Sequence, residues 1–233
     1  MRPSTLTLFL LTLLTATPGH ATAIVTTLSQ TSSGSLEDTL AGPTPSWPSQ
    51  WGAQEFIPQF DATLDSVGLR LVWTPDPVSA PNYVAPQVQL WSGTSTTPTS
   101  LVGTLTTPSG TMQANTTTTL TFGGNGLNLS AGTSYWIVLE SSVSDFSWRS
   151  LSPNVVCDAA TCGPAFAALS MLTVDEGQDW EPNKDGTGAG ITARMEVDVT
   201  EDAGSTPEPA TAWLVVPLGA LGLFLRHRGF ART

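Results

Sequence analysis

Between Ile24 and Ser205 the chain has no histidine; its only two, His20 and His227, lie near the ends. That excludes Ser-His-Asp and Cys-His catalysis from this stretch, together with imidazole zinc sites. Carboxylate chemistry and oxygen-ligated cation sites are left. Charge is scarce too: 12% of the 233 residues are Asp, Glu, Lys or Arg, against about a quarter in an ordinary soluble domain. Lys and Arg number 8 against 19 Asp and Glu, a formal net charge of -11. Such a balance argues against a phosphate-binding surface, so nucleic acid is not an expected partner. Cysteine is down to two, Cys157 and Cys162. Two thiols cannot furnish a zinc site alone, and their spacing is longer than a C-x-x-C redox pair. In an exported chain the default is a local disulfide. It would contribute about 2 kcal/mol or less, because a short loop saves little chain entropy.

Thr, Ser, Gly and Pro take the place of the missing charge, giving a hydroxyl-rich, turn-rich surface. The N-terminus predicts export. Met1-Arg2 is a positive start, Leu6–Gly19 contains an apolar run, and Ala21-Thr22-Ala23 is an A-x-A-like cleavage site. The alternative is a buried N-terminal helix, but charge, apolar run and small residues come in signal-peptide order. The expected mature chain begins near Ile24. Residues 24–52, rich in Gly, Pro and Ser, read as a linker-like segment.

Strand signals follow. "AQEFIPQF" is a short candidate. "TLDSVGLRLVW" puts Val67, Leu69, Leu71 and Trp73 on one face, with Gly68, Arg70 and Val72 on the other. "PDPVSAPNYVAP" is a loop, since its prolines cannot donate to a ladder. Gln87–Trp91 is a strand followed by a turn, "SGTSTTPTS". "LVGTLTT" and "TTTTLTF" come next, then turn chemistry in "GGNGLNLSAGTS". "YWIVLES" sets Tyr135, Ile137 and Leu139 against Trp136, Val138 and Glu140. "FSWRS" alternates Phe146 and Trp148. In "ITARMEVDVT", Ile191, Ala193, Met195, Val197 and Val199 face in, and Thr192, Arg194, Glu196 and Asp198 face out. No window here sustains helical spacing, and short strands separated by turns predict an antiparallel sandwich or barrel.

Three features carry potential chemistry. Asp175–Gly188 is acidic, and Asp179, Glu181, Asn183 and Asp185 alternate as calcium-type oxygen ligands before Gly186. The pattern departs from an EF-hand, which opens on Asp and carries a Glu where Thr192 stands. The alternative is a solvated hairpin loop. Calcium is the only cofactor weighed. Paired carboxylates could serve glycoside hydrolysis, but nothing resembles a hydrolase motif, so the expectation is no enzyme. Trp73, Trp91, Trp136, Trp148 and Trp180 are numerous for so little charge, and Trp47 and Trp51 stand in the linker-like segment. Exposed indoles could stack on sugar rings; most buried ones would simply be core.

The chain closes on "TPEPATAWLVVPLGALGLFLRHRGFART". The apolar run Ala210–Leu225 has sixteen residues. As a helix it reaches about 24 Å, short of a ~30 Å hydrocarbon core. Arg226, His227 and Arg228 follow it, and the positive-inside rule puts them in the cytoplasm with the domain outside. A buried C-terminal helix of the domain is the alternative. Pro207-Glu208-Pro209, a short apolar helix and a terminal Arg cluster together resemble the PEP-CTERM sorting signal. That resemblance implies recognition by exosortase, a membrane transpeptidase-like enzyme, with cleavage near Pro207–Pro209. It implies a membrane-tethered precursor, then delivery to the envelope or outside of a Gram-negative, exopolysaccharide-making bacterium, often in biofilm.

A second resemblance lies in "QEFIPQFDATLDSVGLRL", "VQLWSG", "SLVGTLTT", "TLTFGGNGLNLSAGTSYWIVLESS" and "FSWRS". These are similar to choice-of-anchor domains of bacterial surface proteins, which implies a jelly-roll-like β-sandwich with no catalytic residue carried over. The expected organisation is therefore a signal peptide (1–23), linker (24–52), all-β sandwich (53–200), short linker (201–206) and single-helix sorting tail (207–233). The expected role is a non-enzymatic structural or adhesive surface module, associated with extracellular polysaccharide. The alternative is a carbohydrate-binding module with an aromatic platform.

Overall fold

The computed structural model describes residues 21–29, 37–40, 50–75, 82–140, 145–151, 157–173, 177–184 and 191–202. Thirteen strands run in order: β1 (Thr22–Thr26), β2 (Glu37–Leu40), β3 (Trp51–Phe56), β4 (Ala62–Thr74), β5 (Gln87–Thr94), β6 (Thr97–Thr104), β7 (Thr117–Leu129), β8 (Ser134–Glu140), β9 (Asp145–Leu151), β10 (Phe166–Thr173), β11 (Glu181–Pro182), β12 (Thr192–Ala193) and β13 (Met195–Glu201). A 3-10 turn at Thr27–Ser29 follows β1, and a one-turn helix α1, Ala159–Cys162, precedes β10. The fold is all-β, as the alternation predicts. One sheet has seven strands and the other six, in the order β11-β10-β3-β8-β5-β6. Among the described residues no helix is long and apolar enough to cross a membrane. The expected signal helix and sorting tail, including Pro207, Glu208, Pro209, Arg226, His227 and Arg228, lie outside those residues.

Strand β4 organises the seven-stranded sheet. It pairs with β7 from Ala62 to Val72, and on its other edge with β13 and then β9. Its inward side chains Leu64, Val67, Leu69 and Leu71 are wholly buried. They share one core with Met195, Val197 and Val199 of β13 and with Ile137 and Leu139 of β8. Each such side chain contributes about 1.5–3 kcal/mol of transfer free energy.

Three sequence expectations need correction. The segment 24–52 is not wholly a linker. Strand β1 pairs with β13 (Val25 with Val197, Thr26 with Glu196), and Ile24 and Val25 are buried in the core. A strand this short, overlapping the expected cleavage site and followed by a Gly/Pro/Ser stretch, offers too few alternations to be read. The stretch Gly123–Gly126 is not a turn but part of β7. There one residue of β4, Asp65, faces three of β7, between the pairs Leu64–Leu127 and Ser66–Gly123. Asn125 and Gly126 take the left-handed backbone this bulge demands (φ 56° and 68°). Asn125 Nδ2 donates to the Thr104 carbonyl at 2.8 Å, fixing the bulge against β6. Residues Ser92–Ser100 are likewise mostly strand, with only Ser95 and Thr96 left to turn. Pro98 is tolerated because β6 is an edge strand.

Cys157 and Cys162 are bonded to each other, closing the α1 turn. Asp158 caps this turn, accepting from the Ala160 and Thr161 amides at 3.0 and 2.9 Å. The loop then docks on β1. Ala165 N donates to the Ile24 carbonyl at 3.0 Å. Gly163, at φ 96°, passes so close that a Cβ would sit 2.3 Å from that same oxygen.

Strand β1 as core gives a direct expectation. Ile24→Ala should cost about 3 kcal/mol in urea unfolding, whereas a change within about 0.5 kcal/mol would return this segment to linker status.

Candidate functional site: an indole cluster and cleft on the six-stranded sheet

The register of the six-stranded sheet decides what its outer face presents. Trp91, Trp136 and Glu55 stand in one cross-strand row; Gln89, Val138, Ala53 and Met171 form the next; Glu140, Trp51 and Thr173 form the third. Strand β8 is thus apolar on both faces. Tyr135, Ile137 and Leu139 enter the main core, while Trp136 and Val138 are fully buried on the other side. Their cover is a second small cluster with Ala53 and Met171, closed by half-buried Trp51, Trp91 and Trp180. Trp180 arrives from the segment after β10. There Gly177, at φ 86°, lies so close that a Cβ would meet the Trp51 ring at 2.8 Å.

The indoles do not form a flat platform. Trp51 and Trp91 meet edge-on, with ring centroids 6.4 Å apart and planes at 68°. Trp73 and Trp148 belong to the main core; Trp47 lies outside the described residues. Polar groups surround the cluster. Trp91 Nε1 donates to Gln89 Oε1 at 2.7 Å, and Gln89 Nε2 to Glu140 Oε2 at 3.0 Å. Trp136 Nε1 donates to the Thr94 carbonyl at 3.1 Å. The Nε1 groups of Trp51 and Trp180 are buried with no hydrogen-bond partner.

A cleft of about 450 Å³ opens at the β10–β11 end of this sheet. Gln50, Thr173, Asp179, Glu181, Asn183 and Lys184 line it. Three of the four expected calcium ligands, Asp179, Glu181 and Asn183, line this cleft; Asp185 lies outside the described residues. Asn183 is tied into the fold. Its amide donates to the Ser170 carbonyl at 2.8 Å, its carbonyl accepts from Ile191 N at 3.0 Å, and its Nδ2 reaches Ser170 Oγ at 3.4 Å. Lys184 brings a positive charge to the same cleft, which disfavours a cation there. Among the described residues no group of three or more His, Cys, Asp or Glu could hold a metal ion. The cleft offers amide, hydroxyl, carboxylate and ammonium groups, a mixture suited to a hydroxyl-rich ligand. Sequence reading found the acidic residues and the Trp excess. It missed Gln50, Thr173 and Lys184, which no local pattern marks.

No protein-family model matches the chain, and comparison with curated proteins gives no match.

Glu55 is a buried carboxyl at the edge of the cluster, accepting a hydrogen bond from Ser134 Oγ. Burial pushes its pKa above the ordinary glutamate value, and the Ser134 bond opposes this only in part. The folded state then holds the proton more tightly than the unfolded chain. The stability this contributes is complete below the unfolded pKa and is lost as pH rises through the folded value. Glu55→Gln should therefore gain stability relative to the unaltered chain as pH rises above the ordinary glutamate value of 4.5. Thermal midpoints across that rise check it; a constant difference would show that ionising Glu55 carries no penalty.

Proposed function

We propose that this chain is an exported protein of the PEP-CTERM type, sorted by an exosortase-like enzyme to the cell surface or extracellular matrix of a Gram-negative bacterium. Its jelly-roll-like domain is then a non-enzymatic structural or adhesive module. The observation that carries this reading is the sequence of features in the tail: Pro207-Glu208-Pro209, then the apolar run Ala210–Leu225, then the basic cluster Arg226, His227 and Arg228. A helix that must hold only until it is cut can be short and interrupted by Pro217. The fold is compatible with such processing. The last strand, β13, ends at Glu201, so a cut at the Pro-Glu-Pro motif leaves the sheet whole. A signal cleavage after Ala23 removes two pairs of β1, Thr22–Val199 and Ala23–Asp198, and keeps buried Ile24 and Val25.

Carbohydrate binding is the second reading, favoured by the polar cleft lined by Gln50, Thr173, Asp179, Glu181, Asn183 and Lys184. The edge-on indoles shift it from stacking on a flat platform to insertion of a sugar into the cleft.

Removing Pro207–Thr233 is expected to release the domain into the medium; a truncated chain that stays with the membrane fraction refutes the anchor. Mass spectrometry of the native protein should find a C-terminus near Pro209, and an intact Thr233 counts against exosortase processing. A glycan array distinguishes the second reading: binding lost in Glu181→Gln, at the cleft wall, supports the cleft, and no retained glycan removes it.

A further inference from the structure

The proposed cut after Ala23 falls inside strand β1, and it changes what stands opposite Asp198. In the uncut chain Ala23 pairs with Asp198, and the register shifts before Val25 pairs with Val197. Met195, Val197 and Val199 of β13 enter the core, so Glu196 and Asp198 lie on the outer face of the sheet. Directly paired residues share a face, which puts Ala23 and Thr26 there too. Hydrolysis of the Ala23–Ile24 bond consumes one water. Ala23 leaves with a carboxylate, and the Ile24 nitrogen becomes a free ammonium beside Asp198.

That nitrogen has little room to move. Ile24 is 1% exposed, and Val25 is wholly buried. The Ile24 carbonyl accepts from Ala165 N at 3.0 Å, with Gly163 packed against the same oxygen. Val25 and Thr26 stay paired with Val197 and Glu196. A charge fixed at such a place is costly unless it is paired. Its partner is in position. Directly paired residues stand about 4.5–5.5 Å apart, so the Asp198 carboxylate reaches the backbone nitrogen next to Ala23. Ser66 Oγ donates to Asp198 Oδ2 at 2.8 Å and orients it. Asp198 and Glu196 crowd one another on the same face. Burial raises the Glu196 pKa, and the Asp198 charge raises it further. Along β13 the nearest basic residue, Arg194, is four positions from Asp198, about 13 Å.

We propose that the Ile24 ammonium released by signal cleavage pairs with the Asp198 carboxylate and locks β1 onto β13. An intact peptide bond at Ala23 carries no charge, so the pair forms in the processed chain alone. The lock joins the first strand of the exported chain to its last. It replaces the Ala23–Asp198 pair that the cut removes, and it sets the positive end of the chain against a crowded acidic pair in a protein of net charge -11. The inference rests on the export reading above. The position of the cut and the strength of the pair are read separately, so failure of one is distinguishable from failure of the other.

The test uses the protein as isolated after export, and the mass of its N-terminal peptide is read first. The chain has one lysine, Lys184, so in Lys184→Arg the α-amine is the sole target of acetylation. With that amine free, Asp198→Asn should lower the thermal midpoint by about 2–4 °C, the size expected of one ion pair. After acetylation the same substitution should shift it by less than about 1 °C, because the partner charge is already gone. An equal loss with the amine free and blocked overturns the pairing and leaves export standing. An N-terminus other than Ile24 overturns the cut, and the pairing with it. Should Asp198→Asn fail to fold, acetylation rates of the Lys184→Arg chain decide. The α-amine should react at least about tenfold more slowly in the folded chain than in urea, and about 1 M salt should narrow that gap. Equal rates, or a gap that salt leaves unchanged, overturn the proposal.

Discussion

Strand β4 has two edges to satisfy, and no single partner covers the second. It pairs with β7 along one side from Ala62 to Val72. On the other side β13 serves Ala62–Leu69 and β9 serves Leu71–Thr74. Arg70 falls between the two partners. A buried backbone amide there must find an acceptor, and it finds the Arg194 carbonyl at 3.3 Å. The same carbonyl accepts from Trp148 Nε1 at 2.9 Å. Arg194 is thus the residue on which the β12–β13 segment turns from β9 to β4. That is why its side chain, which alternation alone would leave in water, is buried. Thr27 supports the junction, with Met195 N donating to its hydroxyl at 2.7 Å. Gln54 Oε1 accepts from Ala193 N at 2.8 Å and ties the other sheet to the same place.

The six-stranded sheet is governed by a different constraint. Strand β8 carries apolar side chains on both faces, so both must be covered. The main core covers one. The other is closed by indoles drawn from three separate stretches, Trp51, Trp91 and Trp180. Bringing Trp180 over the sheet also carries Asp179 and Glu181 to the end of β10, where they wall the cleft with Gln50 and Thr173. The cleft therefore follows from the packing need of Trp136 and Val138.

These two constraints explain what could be read from the sequence. Period-two alternation identifies β4, β8 and β13, because each is long and one face of each is strictly apolar. It fails at β1, which is too short, and at Gly123–Gly126, where residues fit for a turn serve a bulge. It also misplaces Arg194, because the identity of the strand that accepts its neighbours is not local information. The candidate sites divide the same way. The acidic residues of the cleft are visible as a run, and the Trp excess is visible as composition. That Trp51 and Trp91 meet edge-on, and that Ala23 stands opposite Asp198, depends on register between strands far apart in the chain.

The proposed surface display makes the position of the ends relative to these faces matter. Thr22 pairs with Val199, and Ala62 with Glu201, so β1 begins and β13 ends side by side at one end of β4. Arg70 lies eight residues further along β4, roughly 26 Å at about 3.3 Å per residue. A domain held through a C-terminal tail hangs from the Ala62–Glu201 end. The proposed cuts, before Ile24 and near Pro209, fall outside β4 and β9.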